Sequence, residues 1–281
     1  MPLNLPISNK INRNPMVQFA MSLKNNTILL TGGTSGIGAT CARHFASLGA
    51  ELFIASNQLE AGQTLESELV NAGYQARFIE TDVSDESSVQ KLIQTIDSET
   101  GKLNAVHCNA GVWDKGKVTD FSDAQWDKLM GVNVKAAFYL AKHTVPILER
   151  TAEAESSLST FLITTSVAAH IGFPDHALYC ASKAALEALV RCLAVDHAGK
   201  IRALGISPGT IDTPMLAASC RGWDKPVDEL YAEVEKRIPV RRLGQPDDIA
   251  KAAAFFLSDQ ATYINGTILT IDGGTTALPP W

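Results

Sequence analysis

No run in the chain approaches the ~20 consecutive apolar residues that a membrane-spanning helix needs, so no membrane partner is expected. Cations are not in excess: 24 Lys and Arg stand against 30 Asp and Glu, a formal charge of −6, which leaves no basic footprint for nucleic acid. The five cysteines (Cys41, Cys108, Cys180, Cys192, Cys220) are odd in number, scattered, and include no Cys-x-x-Cys pair. The six histidines form no His-x-x-x-His pair. These absences argue against a disulfide framework and against a zinc centre, and the expected location is a reducing cytoplasm, with no metal.

What remains is a chain of 281 residues, 46% hydrophobic and 19% charged, enough for one domain with a substantial core. Residues 1–21 carry Pro2, Pro6 and Pro15 among asparagines and show neither a helical nor a strand period, so they read as a disordered extension. Residues 22–281 read as a single domain. Within it, seven short β-prone runs alternate with helical patterns, which predicts a doubly wound parallel α/β sheet with helices on both faces.

The first of those runs, ending at Thr31, leads directly into Gly32-Gly33-Thr34-Ser35-Gly36-Ile37-Gly38 and then a helix. Strand, glycine turn and helix form the context in which a backbone can approach a pyrophosphate and offer it the free N–H groups of a helix N-terminus. The second run, Glu51–Ala55, is followed by Ser56 and Asn57, which should face the adenosine ribose. An acid there would bind a 2′-hydroxyl and an arginine would bind a 2′-phosphate, and this chain has neither. Two small polar side chains leave room for a phosphate, so the cofactor reading is NAD(P) with a lean to NADP.

Asp82 and Val83 follow the third strand. There an acid can accept from an adenine amino group or cap the next helix. Asn109-Ala110-Gly111 follows the fourth strand. Ser122 and Gln125 form a capping box opening a long helix that carries Asn133. The polar stretch Thr151–Ser159 is expected to be a loop, and Ser166 ends the fifth strand, on the side where open α/β sheets bind ligands. Tyr179 and Lys183 lie four residues apart in a helical pattern, so both leave the same face. A neighbouring ammonium favours phenolate, which makes the pair a proton donor and acceptor. After the sixth strand come Pro208, Gly209, Ile211 and Thr213. Residues 215–240 mix Met215, Leu216, Trp223 and Tyr231 with charges and are expected to form a mobile lid over the substrate.

In this order and combination, the glycine turn, Asn109-Ala110-Gly111, Asn133, Ser166, Tyr179 with Lys183, Pro208-Gly209 and Asp272-Gly273-Gly274 resemble the single-domain short-chain dehydrogenases/reductases from about Asn25 to Gly274. The resemblance implies a Rossmann sheet and a catalytic tetrad of Asn133, Ser166, Tyr179 and Lys183. Tyr179 would exchange the proton of the substrate oxygen. Lys183 would lower its pKa and bond the nicotinamide ribose, Ser166 would hold the oxygen, and Asn133 would hold a water leading from Lys183 to solvent. The backbone at Ile211 and the Thr213 hydroxyl would lie near the carboxamide and phosphates. The implied partner is a small alcohol or carbonyl compound, and the implied assembly is a homodimer or homotetramer through the helices carrying Asn133 and Tyr179.

Against this family Cys108, Thr165 and Leu204 are departures, expected to affect stability rather than chemistry. Two further readings of the same fold are a nucleotide-binding regulator without turnover and a dehydratase or epimerase. The intact tetrad disfavours both. The substrate pocket is expected to involve Trp113, Ala168, His170, Phe173, His176 and the 215–240 stretch, with Arg221 as the one candidate for holding an anion.

Overall fold

The computed structural model describes residues 21–221 and 225–278. Of the expected extension, residues 1–20 lie outside the described residues, as does Trp223. Met21 packs partly buried against the core.

The strands β1 (Thr27–Thr31), β2 (Glu51–Ser56), β3 (Ala76–Glu80), β4 (Ala105–Cys108), β5 (Ser159–Thr164), β6 (Ile201–Pro208) and β7 (Ile268–Ile271) form one parallel sheet in the order β3-β2-β1-β4-β5-β6-β7. Every crossover is helical: α1 (Gly36–Ser47), α2 (Leu59–Asn71), α3 (Glu86–Thr100), α4 (Asp123–Met130) continuing into α5 (Ala136–Glu155), α6 (Ala177–Asp196), and the group α7 (Pro214–Ser219), α8 (Val227–Glu235) and α9 (Pro246–Leu257) before β7.

The two-residue period of the strands sorts the core. Ile28, Leu30, Leu52 and Ile54 point to one face, against Phe45 of α1 and Ala250 and Ala253 of α9. Leu29, Phe53 and Ala55 point to the other, against Leu92 of α3, Leu140 of α5 and Leu186 of α6. Because both faces are covered, central strands such as Thr27–Thr31 are buried at every position and read in sequence as unbroken apolar runs. No helix among the described residues is long and apolar enough to cross a membrane.

The first strand, β1, lies inside the sheet. β1 pairs with β2 on one side and β4 on the other, so the connections leaving β1 and β4 diverge and open a crevice at their carboxyl ends. At the opposite, amino edge the helices return through short turns. Gly73 after α2, Gly101 after α3 and Gly199 after α6 have nothing within 4 Å of the point where a side chain would begin.

Two expectations are corrected. Thr151–Ser159 is not a loop: α5 continues to Glu155 and closes on a left-handed Ser156 (φ 51°), and Ser159 already belongs to β5. The polar letters belong to the solvent face of α5, while Thr151 and Ala152 are buried and the Thr151 hydroxyl accepts from the Leu103 N–H at 3.0 Å. The long helix carrying Asn133 is not uniform either. It opens on the Ser122–Gln125 capping box, but a π-helical turn over Gly131–Lys135 separates α4 from α5 and contains Asn133. The 215–240 stretch folds as α7 and α8 on either side of residues 222–224.

Candidate active site

The turn after β1 is held by contacts that only glycine permits. Gly32 has φ +63°, and a Cβ there would stand 2.7 Å from the Ala110 Cα. A Cβ on Gly38 would stand 2.0 Å from the Gly32 carbonyl oxygen. The N-cap of α1, Ser35, makes no side-chain capping bond, so the first N–H groups of this 12-residue helix carry no side-chain partner. A backbone cradle closed by glycines at an uncapped helix N-terminus is the donor set a pyrophosphate requires, and a dinucleotide fits it. Asn109 braces the turn from below. Its Nδ2 donates to the carbonyls of Thr31 (3.3 Å) and Gly32 (3.2 Å), while its Oδ1 accepts from the Thr164 hydroxyl at 3.1 Å.

At the end of β2 the Thr34 hydroxyl donates to the Gln58 side chain (2.8 Å) and lies 3.0 Å from the Ser56 hydroxyl. Gln58 lines the cavity beside Ser56 and Asn57. It escaped sequence reasoning, although its place one residue after Asn57 was the available signal. At the end of β3, Asp82 accepts from the N–H and hydroxyl of Ser84 (2.9 and 2.6 Å). The cap of α3 is Asp85, which accepts from the Ser87 N–H, so capping is not the task of Asp82.

The turn and the ends of β2 and β3 open onto one cavity of about 730 Å³, within the usual range for small-molecule sites. Its walls include Gly32, Thr34, Ser35, Gly36 and Ile37 from the turn; Ser56 and Asn57; Asp82 and Val83; Asn109, Ala110 and Gly111; Ser166, Tyr179 and Lys183; and Pro208, Gly209, Ile211 and Thr213. Asn133 does not line it. This amide is buried behind the wall, where Oδ1 accepts from the Val112 N–H (2.8 Å) and Nδ2 donates to the Val112 carbonyl (2.9 Å) and the Ser182 hydroxyl (3.0 Å).

Among the expected substrate contacts, Trp113, Ala168, Phe173 and His176 line the cavity. The Trp113 and His176 rings stack at 5.7 Å. His170 does not join them: its Nε2 lies 2.9 Å from Glu187 Oε1, so the ring is turned to the side of α6. Arg221 is likewise absent from the walls, where the 215–240 stretch instead contributes Glu233 from α8 and Arg237 from the turn after it. The stretch as a whole is expected in the pocket from sequence, but which of its residues reach the wall is set by the path of α8.

Ser166, Tyr179 and Lys183 meet at the sheet end. The Ser166 hydroxyl accepts from the Ala168 N–H at 3.1 Å, which fixes the turn following β5. Lys183 is buried, donates from Nζ to the Thr164 carbonyl at 3.1 Å, and stands 5.7 Å from the centroid of the Tyr179 ring. Burial pulls its pKa down to about 8. The expected lowering of the Tyr179 pKa is not seen. Burial pushes the phenol above its ordinary value, and a hydrogen bond with Ser166 draws it partly back. The reason is that desolvation disfavours both charged forms and Lys183 spends its bond on a carbonyl rather than on the phenol.

Lys183 therefore loses its proton near pH 8, while the phenol beside it is held above its ordinary value. Below that pH neither group can accept a proton. Alcohol oxidation is expected to rise through an apparent pKa near 8, and carbonyl reduction to fall through it. Rate profiles for kcat/KM in both directions from pH 6 to pH 10 check this, and a flat oxidation profile contradicts it.

Comparison with known proteins adds four findings. A family model described as enoyl-(acyl carrier protein) reductase matches residues 32–276. The chain is 33% identical over 258 residues to 2-(S)-hydroxypropyl-CoM dehydrogenase 3 of Xanthobacter autotrophicus, covering 91% of this chain and 98% of that one. Among solved structures it superposes on 3-ketoacyl-(acyl-carrier-protein) reductase from Brucella melitensis complexed with NADH, with a TM-score of 0.83, 29% identity and coverage of 91% and 100%. It also superposes on a gluconate 5-dehydrogenase from Burkholderia cenocepacia in complex with NADP and tartrate, with a TM-score of 0.82, 28% identity and coverage of 92% and 98%.

Proposed function

The chain belongs to the short-chain dehydrogenase/reductase family and is an NAD(P)-dependent oxidoreductase, and we propose that it interconverts a secondary alcohol and a ketone with Tyr179 as the acid and base. The observation that carries this reading is the convergence of Ser166, Tyr179 and Lys183 on the same cavity as the glycine turn. The nicotinamide, when bound, supplies or takes the hydride. Everything else is the work of side chains. Tyr179 gives its proton to the carbonyl oxygen during reduction and takes it back during oxidation. Ser166 holds that oxygen. Lys183, kept in place by the Thr164 carbonyl, sets the protonation of the pair, and Asn133 acts from behind the wall by fixing the backbone at Val112.

The substrate is proposed to be neutral and of medium size. The wall is mixed aromatic and polar, with Trp113, Phe173 and His176 beside Ser166, which supports this reading. Titration with NADH and NADPH, followed by a panel of alcohols and ketones, tests the assignment. Turnover confined to substrates that carry a carboxylate or phosphate would refute the neutral substrate.

For the cofactor the lean is to NADP. The end of β2 offers Ser56, Asn57 and Gln58, with hydroxyl and amide donors and no acid to repel a phosphate. Ser56→Asp places a carboxylate where Thr34 already approaches at 3.0 Å. The ratio of kcat/KM for NADP over NAD is expected to fall by about tenfold or more, since like charges then face each other. A wild-type enzyme that already rejects NADP would overturn the lean.

A further inference from the structure

His107 lies in β4, wholly buried and outside the cavity walls, yet a hydrogen-bond chain connects it to the glycine turn. Its Nε2 is 2.9 Å from the Thr164 hydroxyl oxygen, and that hydroxyl is 3.1 Å from Asn109 Oδ1. The opposite end of the Asn109 amide faces two carbonyls, those of Thr31 and Gly32.

Counting hydrogens fixes the direction of the chain. Two carbonyls can only accept, so the Asn109 atom facing them is the NH2 and the atom facing Thr164 is the carbonyl oxygen. A threonine hydroxyl has one hydrogen, and it must go to Asn109. The lone pair it leaves meets His107, so Nε2 is the protonated ring nitrogen. Nδ1 is then a bare acceptor, and it is the ring nitrogen that has no partner. In the other tautomer Nδ1–H would be a buried orphan donor, and Nε2 would compete for the threonine hydrogen. Asn109 Oδ1 would then face a lone pair, and the amide would be held at its NH2 end alone. Burial also pushes the imidazole down to about 3, so the ring stays neutral through the physiological range.

We propose that His107 is a positioning residue that, through Thr164, locks the Asn109 amide in the one orientation able to clamp the Gly32 turn, and so sets the affinity for the dinucleotide. The same Thr164 bonds the ammonium of Lys183 through its carbonyl, so one residue braces both the cofactor turn and the catalytic lysine. Such a chain is cooperative, because each bond polarises the next. The proposal rests on the reading of the glycine turn and Asn109 as the cofactor cradle.

The test is binding of NADH and NADPH to wild type, His107→Leu, His107→Gln, Thr164→Val, Asn109→Ala and the His107→Leu/Thr164→Val pair, with kcat measured at saturating cofactor. His107→Leu is expected to weaken the preferred cofactor about tenfold while kcat changes by less than about threefold. His107→Gln, whose amide nitrogen can donate where Nε2 does, is expected to recover most of the loss. The double variant is expected to be no weaker than Thr164→Val alone. Nitrogen-15 spectra of the wild-type imidazole should show Nε2 protonated and Nδ1 bare.

A protonated Nδ1, equal losses in the Leu and Gln variants, or additive losses in the pair would overturn the role of His107. If His107→Leu does not fold, the wild-type spectra and the Gln variant decide. If Asn109→Ala leaves binding intact, the cradle reading itself falls. If it weakens binding while His107→Leu does not, only the His107 inference falls.

Discussion

Tyr179→Phe is expected to reduce turnover by about a thousandfold in both directions, with NADH or NADPH binding changed by less than about threefold. The substitution removes one hydroxyl from a partly buried ring in α6. It leaves intact the glycine turn, the Asn109 brace and the Lys183–Thr164 bond that position the cofactor and the lysine. What is lost is the hydroxyl that hydrogen-bonds Ser166 and sits beside Lys183 at the sheet end. Pre-steady-state measurement of hydride transfer, paired with a cofactor titration, separates the two effects. Near-normal turnover would remove Tyr179 from the chemistry. A parallel collapse of cofactor affinity would instead make its role structural.

Gly38→Ala is expected to weaken the dinucleotide by about a hundredfold or more and to destabilise the fold by about 1–3 kcal/mol. The added methyl would meet the Gly32 carbonyl oxygen at 2.0 Å and Asn109 Nδ2 at 2.8 Å. Neither neighbour is the loose end of a flexible side chain. The carbonyl is backbone, and the amide is bonded on both sides. The turn must therefore open, and its N–H groups leave the positions a pyrophosphate would use. Cofactor titration and thermal unfolding of the same preparation measure the two effects. An alanine variant with unaltered affinity would show that the turn does not hold the dinucleotide.

Much of this architecture was legible before any coordinates. The glycine turn, the seven β-prone runs and the Tyr179–Lys183 spacing are local signals, and local signals survive translation into structure. Non-local facts were not legible. The polar letters of Thr151–Ser159 suggested a loop because sequence does not show that Thr151 faces inward to bond Leu103. The π-helical turn at Asn133 has no composition of its own. His170 carries the same residue type as a substrate-binding histidine, and only the position of Glu187 turns it away. The direction of the Tyr179 shift was misread for a related reason. The proximity of an ammonium is visible in a four-residue spacing, whereas the burial that outweighs it belongs to the whole fold.

The exposed turns at Gly73, Gly101 and Gly199 have a practical side. They sit at the amino edge of the sheet, outside the cavity walls, with space left open around them among the described residues. Fluorophores, affinity tags or whole guest domains grafted into those bends would hang clear of the working end. The molecule can thus be immobilised or fused from beneath while its mouth stays accessible to solvent and small molecules.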